Sequence, residues 1–248
     1  MLLAIDVGNS KVHCGLFKGE KLCKQWSFDT KDIKEKGINS PILSGRRHLY
    51  EGAIICSVVP AVISVLRKKL RIPSLVVSNK IDLGLKIKYK YPGKVGADRI
   101  ANAVAAKFLY GVPSLVVDFG TAITIDVISK KGDYLGGVIM PGLDIIRKGL
   151  YEKTALLPLA KIKKPRKVLG SVTEDAIQSG LYFGIRGMIR QLILDIKKEL
   201  HLSNKTVIIN TGGYSDTWGK GIGKIDKFLT LKGLRVIYER NRTKIAKC

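Results

Sequence analysis

Residues 2–8 read Leu-Leu-Ala-Ile-Asp-Val-Gly, an apolar run that ends in Asp-x-Gly. A second run of the same kind, Leu-Val-Val-Asp-Phe-Gly at residues 115–120, places its aspartate 112 positions later. Each run continues past its glycine into another alternating apolar run, at residues 12–17 and 123–128. The sequence therefore predicts a strand, a tight glycine turn and a second strand, twice over.

This near-repeat indicates a duplicated α/β protein whose two halves each begin with a hairpin. The boundary falls near Gly111-Val112-Pro113, so we expect one domain over residues 1–112 and a second over residues 113–248. If the two Asp-Gly turns face one another across a cleft, they form a clamp suited to phosphate. The same pattern also occurs in ordinary hairpin turns, where Asp, Gly, Asn and Ser are common.

Composition places the chain among globular proteins of a reducing compartment. Of its 248 residues, 46% are hydrophobic and 26% are charged, a balance unlike that of disordered chains. No apolar run approaches the ~20 residues needed to span a bilayer, and the N-terminus does not resemble a signal peptide, so we expect a cytoplasmic protein. The cysteines and histidines are too scattered to predict disulfides or a zinc site; they are Cys14, Cys23, Cys56, Cys248, His13, His48 and His201.

The formal net charge of +24 leaves two interpretations open. Its lysines are spread along the chain without a helix-turn-helix, zinc finger or aromatic–basic RNA motif, which favours a solvated lysine-rich surface. Binding of a polyanion is the alternative, and part of the charge suits a polyphosphate substrate.

Between and after the two predicted hairpins, the sequence shows helical and extended patterns. Helices are predicted over residues 61–70, 98–110 and 173–200, the last capped by Thr173. Glycines in the third helix indicate close approach of another backbone, such as a partner subunit. Further strands are predicted at residues 53–59, 74–77, 206–210 and 234–238, and a glycine-rich loop at residues 136–142.

Residues 93–99, Gly-Lys-Val-Gly-Ala-Asp-Arg, open the second of these helices. Asp98 could accept a proton from a hydroxyl group, and Arg99 could hold a carboxylate or phosphate through two hydrogen bonds. Asp98 could equally be an ordinary residue of the first helical turn. Thr211-Gly212-Gly213 follows a predicted strand, where a nucleotide base or ribose can lie against the backbone.

Taken together, these motifs resemble the type III pantothenate kinases, a family of the actin/Hsp70/sugar-kinase superfamily. No single motif is specific, but GADR, DFGTA and T-x-x-A-I-Q-S-G in this order and spacing are. The resemblance covers nearly the whole chain, through DVGNS (6–10), SVVP (57–60), YPGKVGADR (91–99), VVDFGTAITID (116–126), GDYLGGVIMPGL (132–143), TALLP (154–158), GSVTEDAIQSG (170–180), TGG (211–213) and LTLKGLRVIYE (229–239).

The resemblance implies a fold, an activity and a set of roles. The fold would be two similar α/β halves of the actin-like, ribonuclease H-like type with a cleft between them. The activity would be ATP-dependent phosphorylation of pantothenate to 4′-phosphopantothenate, the first step towards coenzyme A. ATP would contact a first phosphate loop and one threonine of the second turn: Asp6, Val7, Gly8, Asn9, Ser10, Lys11, Val12, His13 and Thr121.

The remaining implied roles concern catalysis, metals and pantothenate. Asp98 would be the general base, Asp6 would lie near Mg²⁺, and Asp118 would hold K⁺ or NH₄⁺. The protein would be a homodimer with Thr173 reaching pantothenate across the interface. Pantothenate would otherwise contact Tyr91, Gly96, Ala97, Asp98 and Arg99.

Three departures from the family pattern are visible. Ser10 stands where the family usually has threonine, so the hydroxyl is kept. Lys11 stands where asparagine is common, so the grip on ATP could differ. Before the long helix, Val172-Thr173 stands where Asn-Thr is frequent, so the threonine is kept.

Two other functions remain open: a non-catalytic nucleic-acid-binding regulator on the same fold, and a kinase or phosphatase acting on a sugar or polyphosphate. Because every candidate catalytic residue is present, specific nucleic-acid binding is not expected, and neither is membrane association.

Overall fold

The computed structural model describes residues 1–36 and 50–245, so His48 and Cys248 lie outside the described part. Its first sheet has the order β3-β2-β1-β4-β5. In it, β1 is antiparallel to β2 and parallel to β4. The strands are β1 (Leu2–Val7), β2 (Lys11–Lys18), β3 (Lys21–Asp29), β4 (Gly52–Ser57) and β5 (Ser74–Val76).

The second sheet repeats this arrangement. Read from one edge, its order is β8-β7-β6-β9-β10, so each strand occupies the place of its counterpart in the first sheet. The pairs β6–β9 and β9–β10 are parallel, as expected for strands joined through helices. The predicted pair of similar α/β halves, each led by a hairpin, is therefore confirmed. The strands are β6 (Ser114–Phe119), β7 (Ala122–Ile128), β8 (Tyr134–Pro141), β9 (Val207–Thr211) and β10 (Lys224–Ile225).

The helices follow the predicted periodicity with two local interruptions. They are α1 (Thr30–Lys36), α2 (Pro60–Leu70), α3 (Ala97–Ala105), α4 (Leu143–Lys153), α5 (Thr173–Ser179), α6 (Ile185–Glu199), α7 (Ser215–Trp218) and α8 (Leu229–Ile245). A short π-helical segment at Ala106–Tyr110 continues α3, and another at Gly180–Gly184 joins α5 to α6. Proline at the first position of α2 suits a helix start, because its missing N–H would have had no partner there.

The chain divides into two compact units. The first comprises residues 1–111, 128–136 and 228–248, and the second comprises residues 112–127 and 137–227. Within the described residues, no helix is both long and apolar enough to cross a membrane.

Strand β1 forms the centre of the first unit because it is buried on both faces. Leu3, Ile5 and Val7 point to one face, where they share a core with Val62 and Leu66 of α2. Helix α8 packs on β1 and β4. A side chain at Gly15, whose partner on β1 is Ala4, would meet Leu231 of α8, so α8 covers the opposite face.

The strand predicted at residues 234–238 is wrong, because this stretch lies within α8. Leu-Arg-Val-Ile-Tyr is rich in strand-forming residues, but burial follows a helical spacing through Leu231, Leu234, Tyr238 and Asn241. At Gly233 an added Cβ would overlap the carbonyl of Ala101 in α3, so only glycine permits this close packing of the two helices.

Two smaller predictions are also wrong. Residues 136–142 are not a loop after a strand, since β8 extends from Tyr134 to Pro141. Thr173 does not cap its helix: it is the first helical residue, Val172 precedes it, and no side-chain hydrogen bond caps that end. Val172 has an extended backbone and leads into this exposed helix start. In place of a cap, the acidic side chains of Glu174 and Asp175 in the first turn interact favourably with the positive end of the helix dipole.

Candidate active site

The turn between β1 and β2 is a tight loop fixed by backbone hydrogen bonds. The N–H of Gly8 donates to the carbonyl of Lys11 at 3.0 Å, which closes the turn. Val7 and Val12 are fully buried in the core, so they can offer only backbone groups to a ligand. Exposed Asn9 and Ser10 form the tip. The arrangement leaves short polar groups at the end of a strand, as a phosphate loop requires.

Thr30 braces this turn, and sequence reasoning did not single it out. Its hydroxyl donates to the carbonyl of Gly8 at 2.8 Å, and its N–H donates to the carbonyl of Ser10 at 3.0 Å. Thr30 is itself buried, 22 positions along the chain from Gly8. The only available signal was a hydroxyl residue at the end of the third strand, which is too common to be informative.

Lys11 and His13 continue β2 beyond the turn. The ammonium of Lys11 lies 3.0 Å from a carboxylate oxygen of Asp29, and both side chains are largely exposed. Desolvation and then the charge of Lys11 lower the pKa of His13. The lysine that departs from the family pattern is thus held by Asp29 beside the turn.

Asp6 is the penultimate residue of β1 and lies between two neighbouring strands. Its register partners are His13 on β2 and Cys56 on β4. The thiol of Cys56 donates to Oδ1 of Asp6 at 3.0 Å. Burial raises the pKa of Asp6 to about 7, the hydrogen bond from Cys56 opposes that rise, and the charge of Asp98 adds to it. The structure therefore brings Asp6 and Asp98 within electrostatic reach of each other in the first unit.

Asp98 is the second residue of α3, which begins directly after Gly96. Its Oδ1 accepts a hydrogen bond from the N–H of Arg99 at 2.8 Å. A Cβ on Gly96 would lie 2.5 Å from the same oxygen, so the missing side chain makes room for the carboxylate. This places a carboxylate at a helix N-terminus, where the backbone also favours anions.

The other residues implied for pantothenate surround this helix start. The guanidinium of Arg99 is buried and lies 5.9 Å from the ring centroid of Tyr134. Tyr91 is exposed, with the ammonium of Lys90 at 5.4 Å from its ring centroid. Gly96 and Ala97 are half-buried. A mixed apolar, cationic and anionic surface of this kind suits a small polar acid carrying a hydroxyl group.

The second Asp-Gly turn lies in the second unit. Asp118 ends β6 opposite Thr211 of β9. An added Cβ on Gly212 would overlap the carboxylate of Asp118, so the Gly-Gly turn passes directly against it. Gly212 also has a φ of +88°, a conformation that favours glycine. The close approach of this turn to Asp118 therefore depends on glycine at position 212.

Thr121 connects this turn to α4. Its carbonyl accepts a hydrogen bond from the N–H of Gly142 at 3.1 Å, immediately before α4 begins, and its side chain is exposed. Thr173 lies elsewhere in the same unit, exposed at the first position of α5.

A hydrogen-bonded trio in the second unit also escaped sequence reasoning. The hydroxyl of Tyr214, next to the Gly-Gly turn, donates to Oδ2 of Asp144 at 2.6 Å. Arg147 pairs with the other oxygen of Asp144 at 2.7 Å. Burial, followed by the hydrogen bond and charge of Asp144, raises the pKa of Tyr214 to about 12. This trio ties the Gly-Gly turn to α4.

In residues 1–36 and 50–245, no three side chains of His, Cys, Asp or Glu lie close enough together to hold a metal ion by themselves. A single carboxylate that shares a cation with phosphate oxygens and water remains compatible with this geometry.

The sequence profile of the type III pantothenate kinases matches residues 2–195. The chain belongs to the type III pantothenate kinase family. A family member from Methylacidiphilum infernorum is 40% identical over 241 residues, covering 96% of this chain and 88% of its own. A type III pantothenate kinase from Moorella thermoacetica is 37% identical over 255 residues, covering 97% of this chain and 100% of its own. Membership makes the chain a kinase, and kinases use ATP with a divalent metal.

Among solved structures, this type III pantothenate kinase family member resembles a Campylobacter jejuni protein assigned to the Baf family of transcriptional activators. The TM-score is 0.61 at 21% identity, covering 97% of this chain and 99% of that one. At that identity the likeness supports the fold alone. The actin-like fold class predicted from the sequence is confirmed. The nucleic-acid-binding alternative gains no support from the family match.

Proposed function

We propose that this chain transfers the γ-phosphoryl group of ATP to the hydroxyl of pantothenate, which makes 4′-phosphopantothenate and opens coenzyme A synthesis. The observation that carries the proposal is the continuous family match over residues 2–195, which includes the turn at Asp6, the helix start at Asp98 and the turn at Asp118. The arrangement around Asp98 supports it, because a carboxylate lies where a hydroxyl-bearing acid could approach Arg99.

Asp98 is the general base of this proposal. The hydroxyl oxygen of pantothenate attacks the γ-phosphorus, the bond to the β-phosphate oxygen breaks, and Asp98 takes the hydroxyl proton. The hydrogen bond from the N–H of Arg99 fixes the carboxylate during this step. Since phosphoryl transfer has a loose transition state, most of the protein's contribution is positioning and charge neutralisation.

Asp6 and the turn through His13 form the ATP phosphate loop in this proposal. The residues fit a divalent cation such as Mg²⁺, because Asp6 offers one ordered carboxylate at the end of β1. When bound, Mg²⁺ neutralises charge on the β- and γ-phosphates. Thr30 holds the backbone of Gly8 and Ser10 in the loop conformation, so N–H groups are directed without reorganisation.

Asp118 is proposed to hold a monovalent cation, K⁺ or NH₄⁺, and Thr121 to contact the ATP phosphates. The backbone of Gly120 and Gly212 lies close to the carboxylate of Asp118, and a carboxylate beside backbone groups offers the oxygen ligands that hard cations prefer. When bound, the cation adds positive charge beside the nucleotide phosphates.

A homodimer is the proposed assembly, with Thr173 contacting pantothenate at its interface. Open glycines and exposed apolar side chains on the surface of the second unit support a homodimer. Added Cβ atoms on Gly180, Gly184 and Gly187 would have no neighbour within 4 Å among the described residues outside their own helix, so another backbone could approach there. Large apolar side chains are exposed on the same unit: Ile139, Ile145, Tyr151, Leu156, Leu169, Val172, Met188 and Leu194. Exposed apolar surface of this extent is typical of an interface.

The division into domains over residues 1–112 and 113–248, and a cytoplasmic location, are further parts of this proposal. All of β1–β5 precede residue 113 and all of β6–β10 follow it, and both sets have the same order, which supports a duplication.

The test is ADP release from ATP and Mg²⁺ by the purified chain, with and without pantothenate and with K⁺ or Na⁺ as the monovalent salt. Release that requires pantothenate supports the kinase, and loss of rate when Na⁺ replaces K⁺ supports the monovalent cation. Release that is unchanged without pantothenate would overturn the substrate, and sugars and polyphosphate are the comparison acceptors.

A further inference from the structure

Two fully buried cysteines lie on the strands that flank β1, and only one contacts the candidate active site. Cys56 on β4 is the register partner of Asp6, and Cys14 on β2 is the register partner of Ile5. Adjacent residues of a strand point to opposite faces, so Cys56 shares a face with Asp6 while Cys14 points into the apolar core. The two thiols therefore form a natural pair of test and control.

The contact between Cys56 and Asp6 is a directed hydrogen bond. Sγ of Cys56 lies 3.0 Å from Oδ1 of Asp6. A neutral thiol donates through its S–H group and a carboxylate oxygen only accepts, so the hydrogen bond runs from Cys56 to Asp6. Cys56 is completely inaccessible to solvent, which leaves its rotamer fixed by the surrounding core.

We propose that Cys56 is a positioning residue, whose thiol fixes the carboxylate of Asp6 in the orientation that receives the divalent metal of the nucleotide. The inference rests on the proposed role of Asp6 near that metal. Without the donor, rotation about the terminal bond of Asp6 is restrained only by packing, because carboxylates have broad torsional preferences there. The metal would then bind a carboxylate that is free to rotate. Fixing that carboxylate would cost part of the binding free energy, so the affinity for the metal would fall.

Serine and alanine at this position separate hydrogen bonding from packing. Cys56→Ser keeps a donor at nearly the same place, whereas Cys56→Ala removes it. Cys14→Ala makes the same change of volume in the same sheet, next to Asp6 in the chain register but without its hydrogen bond. A purely structural role predicts similar effects at both cysteines, and the positioning role predicts an effect at Cys56 alone.

The experiment measures Mn²⁺ binding to each variant in the presence of ADP, by the loss of the free Mn²⁺ signal in electron paramagnetic resonance. We expect the dissociation constant of Mn²⁺ to rise about 3- to 10-fold in Cys56→Ala, the range for loss of one hydrogen bond. Cys56→Ser should stay within about twofold of the unchanged protein, and Cys14→Ala should not differ from it. The KM for pantothenate should be unchanged in all three.

Unchanged Mn²⁺ binding in Cys56→Ala overturns the proposal, and so does equal weakening in Cys56→Ser. Thermal unfolding confirms that each variant is folded, and Cys56→Val replaces Cys56→Ala if the latter is not, since it fills the volume without a donor. Asp6→Asn distinguishes a wrong role for Asp6 from a wrong role for Cys56. If it binds Mn²⁺ normally, the role of Asp6 is wrong; if it alone weakens binding, only the role of Cys56 is wrong.

Discussion

Replacing Gly96 with alanine should disable the proposed base without removing it. The added Cβ would lie 2.5 Å from Oδ1 of Asp98, whereas ordinary contact begins at 3.4 Å, so the carboxylate must move by about 0.9 Å. Because a misplacement of about 1 Å can cost 10²-fold in rate, we expect kcat to fall about 10²-fold. The displaced atom is the end of a side chain, so the cost in stability is small.

The assay is pantothenate-dependent ADP release under saturating ATP, together with thermal unfolding. Gly93→Ala is the matched control, because its Cβ would meet nothing closer than 3.9 Å, at the side chain of Asn79. We expect kcat of that control to be unchanged, and the melting temperature of both variants to fall by less than about 4 °C. An unchanged kcat in Gly96→Ala would refute the reasoning.

A double-mutant cycle shows whether the loss acts through Asp98. If it does, Gly96→Ala should cost almost nothing more once Asp98→Asn is present, since the displaced base is already absent. If the two losses multiply, the alanine disturbs the pantothenate pocket by another route.

Three further substitutions test other parts of the site. Asp98→Asn should leave folding and ATP binding nearly intact and lower kcat by roughly 10²–10⁴-fold, and near-normal turnover would remove Asp98 as the base. Asp118→Ala should weaken the response to K⁺, and an unchanged K⁺ titration of the rate would remove Asp118 from the cation site. Thr30→Val should raise the KM for ATP about 3- to 10-fold, because the loop at Gly8 loses a hydrogen bond, while the KM for pantothenate stays the same. Equal changes in both KM values would indicate a general disturbance instead.

The two hairpins could be predicted because they depend on local patterns. In residues 2–8 and 115–120 the apolar run, the Asp-x-Gly and the alternating run that follows are all contiguous. Helix α3, with Asp98 in its first turn, could be predicted for the same reason, since the glycines before it and the acidic residue stand beside a helical spacing. The roles of Asp118, Thr121 and Thr173 rest on resemblance and stay predictions.

The contacts that were missed depend on strand register and on chain segments far apart in sequence. Cys56 meets Asp6 across 50 positions and Tyr214 meets Asp144 across 70. No local pattern sets these pairings, because they exist only once β4 lies beside β1 and the Gly-Gly turn lies beside α4. The strand prediction at residues 234–238 is wrong for a different reason. Three consecutive strand-forming residues, Val236, Ile237 and Tyr238, outweighed a helical period that is visible only over the longer stretch 229–245.

The packing of α8 on α3 has a consequence for the order of folding. The helix whose first turn carries the proposed base packs on α8 through Ala101 and Gly233, which lie 132 positions apart in the sequence. The second unit, in contrast, contains no residue beyond 227. The second unit can therefore form without α8, whereas the first unit needs α8 to complete its packing. A chain truncated after residue 227 would carry every proposed active-site residue and still lack the helix that packs on α3.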